Sequence, residues 1–329
     1  MYEEFFGLTT RPFDLTPSPR FLVLTASHRE ALRNLEYAIL SRKGVTLLVG
    51  EAGAGKTTII RSAIENQPGR VHCVHLHNPT LTREEFVEML AVHFRLSPRA
   101  AQSKTAMLVE LEALLKQRHA AGETTVLIVD EAQSLSLDLL EEIRLLANIE
   151  TDDEKLLSVV IAGQPELASR LNDQALRQLK QRIALRCELQ PLTKRETETY
   201  VAGRIRAAGG VGAQVFTREA VGLIFQAARG LPRTINVIAD NALLGGFAAG
   251  VKPVTSEIVR EVCSDFDLRA ALAEPAAAPS RAPAAAAHDV LSASVPVLSK
   301  VGDQGPSSPD TSSKGVFSVR RKRFSFFWN

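Results

Sequence analysis

The segment Gly50-Glu51-Ala52-Gly53-Ala54-Gly55-Lys56-Thr57 constrains this chain more than any other. It matches the pattern G-x-x-x-x-G-K-[ST] at every fixed position and follows directly on the apolar run Val45-Thr46-Leu47-Leu48-Val49. An apolar run ended by glycine reads as a buried strand feeding a turn, and Thr58 to Ile64, without Gly or Pro, continue as a helix. The glycines let the backbone curl so that its N–H groups point inward, where the helix N-terminus adds partial positive charge. Such a loop cradles the phosphates of a nucleoside triphosphate. Lys56 would reach the β- and γ-phosphates, the Thr57 hydroxyl would ligate Mg²⁺, and Thr58 adjoins the same loop.

A second motif bears on the fate of the nucleotide. The β-branched run Thr125-Val126-Leu127-Ile128-Val129 ends in Asp130-Glu131-Ala132-Gln133. An acidic residue at the end of the neighbouring strand holds the Mg²⁺ shell in folds of this kind, which suits Asp130. Glu131 is then placed to polarise a water against the γ-phosphate as a general base. Two adjacent acids with separate tasks point to hydrolysis; a site that only binds is the plainer alternative.

The chain has 329 residues, enough for two domains, with ordinary globular proportions of 45% hydrophobic and 23% charged residues. A formal net charge of +2 is too small to imply nucleic acid by bulk electrostatics. Cys73, Cys187 and Cys263 are odd in number and far apart, so reduced structural thiols in the cytosol are expected. No basic and apolar signal region opens the sequence at Met1-Tyr2-Glu3-Glu4, and no run of about 18 apolar residues suggests a membrane span. The expected location is the cytoplasm, with peripheral attachment at the inner membrane face as an extension.

Five strand-like runs, Val45–Val49, Val71–Leu76, Val126–Val129, Leu156–Ala162 and Leu185–Leu189, are separated by helical stretches, the alternation of a parallel α/β sheet. Thr82 can cap a helix through Phe94, with Phe86, Met89, Leu90 and His93 at helical spacing. His72, His75 and His77 alternate along the second run. With no accompanying Cys or carboxylate cluster in the sequence, they read as solvated strand histidines sooner than as a metal trio. After Pro191 the pattern turns helical, near 193–207, 217–229, 233–248 and 255–268.

Residues 274–316 hold six prolines, many Ala and Ser, and no aromatic residue. Such a segment buries too little apolar surface to offset its ordering entropy and is expected to be disordered. It leads to Arg320-Arg321-Lys322-Arg323-Phe324-Ser325-Phe326-Phe327-Trp328, where basic residues adjoin aromatics. That combination suits an anionic membrane surface or a partner protein, with single-stranded nucleic acid or no defined partner as other readings.

Three further signals complete the pattern. The run ending at Ala162 continues into Gly163-Gln164-Pro165-Glu166-Leu167, where a polar side chain could touch the γ-phosphate or the attacking water. The basic helix Leu176-Arg177-Gln178-Leu179-Lys180-Gln181-Arg182-Ile183 could project an arginine into a neighbouring subunit's site, whereas a surface salt bridge is the plainer reading for Lys180. Gly230-Leu231-Pro232-Arg233 starts a helix with Pro in its first turn, and its Arg could reach back to the nucleotide.

In this order the motifs resemble an AAA+ ATPase and, more narrowly, the ExeA type, the general secretion pathway protein A family. The opening Met1-Tyr2-x-x-Phe5-Phe6-Gly7-Leu8-x-x-x-Pro12-Phe13-x-Leu15-Thr16-Pro17-x-Pro19-Arg20-Phe21 is similar to that family's N-terminal signature. So are Val129-Asp130-Glu131-Ala132-Gln133, the stretch from Glu142 to Glu150, and Ala162-Gly163-Gln164-Pro165-Glu166-Leu167. The resemblance covers about residues 1–268. It implies an α/β fold: an AAA+ P-loop core with a five-stranded parallel sheet over 1–190, a small helical lid over 191–268, and a disordered tail over 269–329.

The same resemblance implies Gln164 as the sensor on the fourth strand, Arg182 as the arginine finger with Arg177 in reserve, and Arg233 as the lid sensor. It implies ATP and Mg²⁺ as cofactors and a ring or other homo-oligomer as the active form. Members of the family resemble motors that assemble envelope machinery such as a secretin, and related short forms accompany exopolysaccharide and protein-sorting loci. Envelope secretion or polysaccharide-export machinery is therefore the expected partner. The chain departs from longer members in showing no membrane helix after the lid and no folded peptidoglycan-binding region. Its N-terminal half also resembles AAA+ regulators of DNA transposition, which makes nucleic acid the second partner reading. A non-hydrolysing, nucleotide-switched scaffold is the third, and Glu131 with the arginine candidates weighs against it.

Overall fold

In the computed structural model, residues 1–15, 21, 23–77, 81–266 and 268 are described. The Ala/Pro/Ser-rich stretch and the basic-aromatic end lie outside them, so the expectations for the tail do too. Five strands alternate with helices, as the apolar runs require: β1 (Val45–Gly50), β2 (Val71–Leu76), β3 (Thr124–Val129), β4 (Leu157–Gly163) and β5 (Ile183–Leu189). All pair in parallel, in the spatial order β2-β3-β4-β1-β5. One expectation changes here. The strand of Asp130 does not neighbour the phosphate-loop strand, because β4 lies between them.

Helices precede and follow these strands. In chain order they are α1 (Tyr2–Phe6), α2 (Ala26–Leu40), α3 (Lys56–Glu65), α4 (Arg83–His93), α5 (Pro98–Gln102), α6 (Lys104–Ala120), α7 (Leu137–Leu146), α8 (Pro165–Arg170) and α9 (Arg177–Gln181). Successive strand side chains point to opposite faces. Leu47, Val49, Leu127, Val129, Val159 and Ile161 therefore enter one apolar cluster with side chains from α4 to α9. Leu48, Val126, Ile128, Val160 and Ala162 enter a second with α2 and α3. Both faces are covered, which is why β1, β3 and β4 read as continuous apolar runs. The Thr82 cap forms as expected, with a capping box in which Thr82 and Glu85 satisfy each other's backbone N–H groups.

Beyond β5 the chain is helical: α10 (Lys194–Ala207), α11 (Gly212–Val215), α12 (Arg218–Ala228), α13 (Pro232–Ala249) and α14 (Ser256–Asp265). The four long helices match the sequence pattern; the single turn α11 carries too little periodicity to be seen in it. These helices enclose a third cluster that includes Val201, Ile205, Ile224, Ile235, Leu243 and Val259.

The N-terminal segment, expected with the nucleotide core over 1–190, buries its apolar side chains in this lid cluster instead, through Tyr2, Phe6, Leu8 and Phe13. Polar contacts fix it there. The Tyr2 hydroxyl donates to Asp240, Lys252 Nζ to the Phe5 carbonyl, and Arg204 Nε to the Pro12 carbonyl at 2.6 Å. The helical spacing of Tyr2, Phe5 and Phe6 marks a short apolar face but gives no clue to its packing partner, because that partner is chosen by shape in three dimensions.

Candidate nucleotide site

The parallel registers Val49↔Gly163, Val129↔Ile161 and Leu76↔Val129 align the strand ends. The segments leaving β1, β3 and β4 thus emerge on one edge, the usual ligand edge of an open α/β sheet. A cleft of about 370 Å³ opens there. Gly53, Gly55, Lys56, Thr57, Thr58, Glu131 and Arg233 line it, with Phe21, Val23, Tyr200, Arg204 and Asn236 also in its wall. Gly50 and Ala54 are buried in the loop, while Glu51 and Ala52 are exposed on its outer turn.

Lys56 opens α3 and is buried, its Nζ donating to the carbonyls of Gly50 at 2.9 Å and Glu51 at 3.2 Å. These contacts hold the ammonium along the loop it must serve. The Thr57 hydroxyl donates to Asp130 Oδ2 at 2.6 Å, so the two oxygens expected around Mg²⁺ already adjoin although they come from separate elements. A hydroxyl and a carboxylate are hard oxygen donors and fit that ion.

Glu131 sits at φ 54, the left-handed region that few non-glycine residues adopt, and such strain collects at functional sites. Gln133, whose role local sequence does not show, links two of the expected residues. Its Nε2 donates to Glu131 Oε2 at 2.6 Å and its Oε1 accepts the Gln164 N–H at 3.1 Å. A Cβ on Gly163 would come within 2.9 Å of that Oε1, so glycine leaves room for the bridge. Arg170 fastens the same segment, donating to the carbonyls of Gln133 at 2.6 Å and Leu135 at 2.8 Å.

The lid touches the loop directly. The Arg233 N–H donates to the Gly53 carbonyl at 3.2 Å, and a Cβ on Gly53 would meet Arg233 Cβ at 2.8 Å. His28 on α2 also braces the loop, through Ala54, and was not visible as a site residue in sequence. Its Nε2 lies 3.0 Å from the Ala54 carbonyl, which only accepts, so Nε2 carries the proton and Nδ1 accepts from the Thr25 hydroxyl at 2.6 Å. Burial lowers the His28 pKa below its ordinary value, partly opposed by the Ala54 hydrogen bond.

The arginine candidates stand apart from this cleft. Arg182 caps the C-terminal end of α9 and Arg177 begins it; both are exposed, and neither lines the cleft. Lys180 bonds Asn172 Oδ1 at 2.8 Å, replacing the expected salt bridge with a neutral partner.

The histidines also separate. His72 pairs with Glu123 at 2.8 Å, whereas His75 and His77 adjoin with ring centroids 3.7 Å apart and planes tilted by 44°. His75 Nε2 lies 3.9 Å from Asp130 Oδ2, so a carboxylate does accompany them, supplied by the next strand and invisible to local spacing. Burial, then the nearby His77 and Arg61, push the His75 pKa down to about 4.

Comparison with known proteins bears on the fold and on relatedness. Residues 39–171 match the AAA domain family. General secretion pathway protein A of Aeromonas hydrophila is 40% identical over 251 residues, which cover 76% of this chain and 46% of that protein. The chain thus spans about half the length of that relative. Among solved structures, the Aeropyrum pernix ORC2 protein in its ADPNP–ADP complexes superposes with a TM-score of 0.57 at 20% identity, covering 78% of this chain and 71% of that one. Cdc6p from Pyrobaculum aerophilum gives 0.59 at 17% identity, with 77% and 70% covered. At such identities these two speak for the fold alone. Over its matched residues, the chain carries an AAA domain and resembles the general secretion pathway protein A type.

Proposed function

We propose that this chain is a Mg²⁺-dependent ATPase that works as a homo-oligomer to assemble or regulate an envelope secretion or export system. The observation that carries the catalytic part is the meeting of Lys56, Thr57, Glu131 and Arg233 around one cleft, with Asp130 bonded to Thr57. Lys56 and the loop N–H groups bind the β- and γ-phosphates, and Arg233 reaches them from the lid. Apolar Phe21 and Val23, with Tyr200 and Asn236, supply wall suited to the base. Thr57 and Asp130 would hold Mg²⁺, which supplies charge neutralisation between the phosphates when bound. Glu131 orients and deprotonates the attacking water, positioned through Gln133, which ties it to Gln164 at the end of β4. Arg182, exposed at the sheet's β5 edge, would complete a neighbouring subunit's site.

The secretion role rests on likeness to General secretion pathway protein A. Phosphate release by the full chain with ATP and Mg²⁺ tests the activity; none above background overturns it. For the role, removal of the chain from its own cells should leave an envelope channel unassembled. Intact assembly, with turnover stimulated by DNA, would replace it with the DNA-regulator reading.

A further inference from the structure

We infer that His75, His77 and Asp130 form a binding site for a borderline divalent transition metal such as Zn²⁺ or Co²⁺, distinct from the oxygen-only pair Thr57–Asp130. Each offers one ligand atom, and the three atoms lie within 4.8 Å of one another. The strand geometry explains the grouping. His75 and His77 are two residues apart and share a face, and His75 pairs in register with Ile128, two residues before Asp130. All three project toward the α2–α3 side of the sheet, where Ile128 packs.

Two observations point to a ligand and not to mere proximity. Among the described residues, His75 Nε2 is buried with no hydrogen-bond partner, and a buried polar atom left unpaired costs stability unless something engages it. The carboxylate nearest it, Asp130, is itself buried. Donors around a tetrahedral ion bound at 2.0–2.1 Å stand roughly 3.3–3.5 Å apart, so the exposed His77 ring and the 3.9 Å His75–Asp130 gap need only small adjustment. Two imidazoles and one carboxylate suit Zn²⁺ or Co²⁺ and are poor ligands for Mg²⁺. A water completes the fourth position.

Because Asp130 belongs to both sites, an ion here withdraws it from Thr57. Micromolar transition metal would then antagonise the Mg²⁺ function of the cleft. This consequence rests on the proposed ATPase reading; the metal site does not.

The decisive experiment titrates the full-length protein with Co²⁺ in the absence of nucleotide and follows its d–d absorption at about 500–650 nm, with Zn²⁺ as competitor. Intact proteins should bind one Co²⁺, displaced by Zn²⁺ but not by excess Mg²⁺. His77→Ala and His75→Asn should each weaken binding at least about 10-fold, the scale on which lost metal-site interactions are felt. His72→Ala, altering the histidine paired with Glu123, should leave the titration unchanged, and circular dichroism checks that each variant folds. Equal Co²⁺ affinity in the wild type and a folded His77→Ala protein overturns the site, as does an equal loss in His72→Ala. The readout needs no hydrolysis, so an inactive protein that binds Co²⁺ through these residues refutes the ATPase reading and leaves the metal site standing.

Discussion

The Gln133 side chain donates to Glu131 Oε2 at 2.6 Å while accepting the backbone N–H of Gln164. The acid expected to activate water is thereby held by a residue anchored to the end of β4, between the strands that carry the loop and the acids. Gln133→Leu keeps the size and removes both hydrogen bonds. It should lower kcat about 10-fold with little change in ATP affinity, whereas Glu131→Gln should lower kcat about 10²–10⁴-fold and keep binding. Steady-state phosphate release and equilibrium nucleotide binding separate the two; unchanged turnover in Glu131→Gln removes Glu131 from the chemistry.

Lys56 and Asp130 should fail differently. Lys56→Ala leaves the phosphate charge unpaired, so binding of a fluorescent ATP analogue should weaken by at least about 10-fold, as expected for a lost charge-assisted contact. Asp130→Asn should bind nucleotide without Mg²⁺ nearly as well as the wild type, yet gain little when Mg²⁺ is added. A normal Mg²⁺ response in that variant would separate Asp130 from the metal.

Arg182 is exposed and absent from its own chain's cleft. Arg182→Ala should bind ATP normally and turn over slowly. Mixing it with Glu131→Gln protein should restore part of the rate, because a mixed interface pairs an intact acid with an intact arginine. Activity independent of protein concentration, from a monomeric ATP-bound form, would rule out a role across subunits.

The lid depends on Gly230. Its φ is +75, and a Cβ there would meet the Leu192 carbonyl oxygen at 2.1 Å, so both conformation and space exclude a side chain. Gly230→Ala should destabilise the protein by about 2–4 kcal/mol through left-handed strain and overpacking. A urea midpoint equal to that of the wild type would contradict this.

His28 predicts a pH dependence. Its pKa is lower folded than unfolded, so the unfolded state binds the proton more readily and stability falls as pH drops through the ordinary histidine value of about 6.5. The contribution is fully present above that pH. Between pH 7 and 5 the Tm of the wild type should fall more than that of His28→Gln, which does not titrate there. Parallel declines would assign the loss to other groups.

The sequence by itself determined the strands, the helical lid and the phosphate loop, because each is written in local periodicity and fixed spacing. β1, β3 and β4 are buried on both faces, so their runs are unbroken; the Gly50–Thr57 pattern and the acids after Val129 need no partner to be recognised. Tertiary structure alone decided what adjoins what. Strand order put β4 between β1 and β3. The packing of Tyr2, Phe6, Leu8 and Phe13 moved the N-terminal segment into the lid core. Contacts across 26 residues from His28 to Ala54, 31 from Gln133 to Gln164 and 73 from Thr57 to Asp130 assembled the site. Such pairings depend on how sheet and helices stack, and a chain read one residue after another carries no mark of which distant side chain will stand within hydrogen-bond reach.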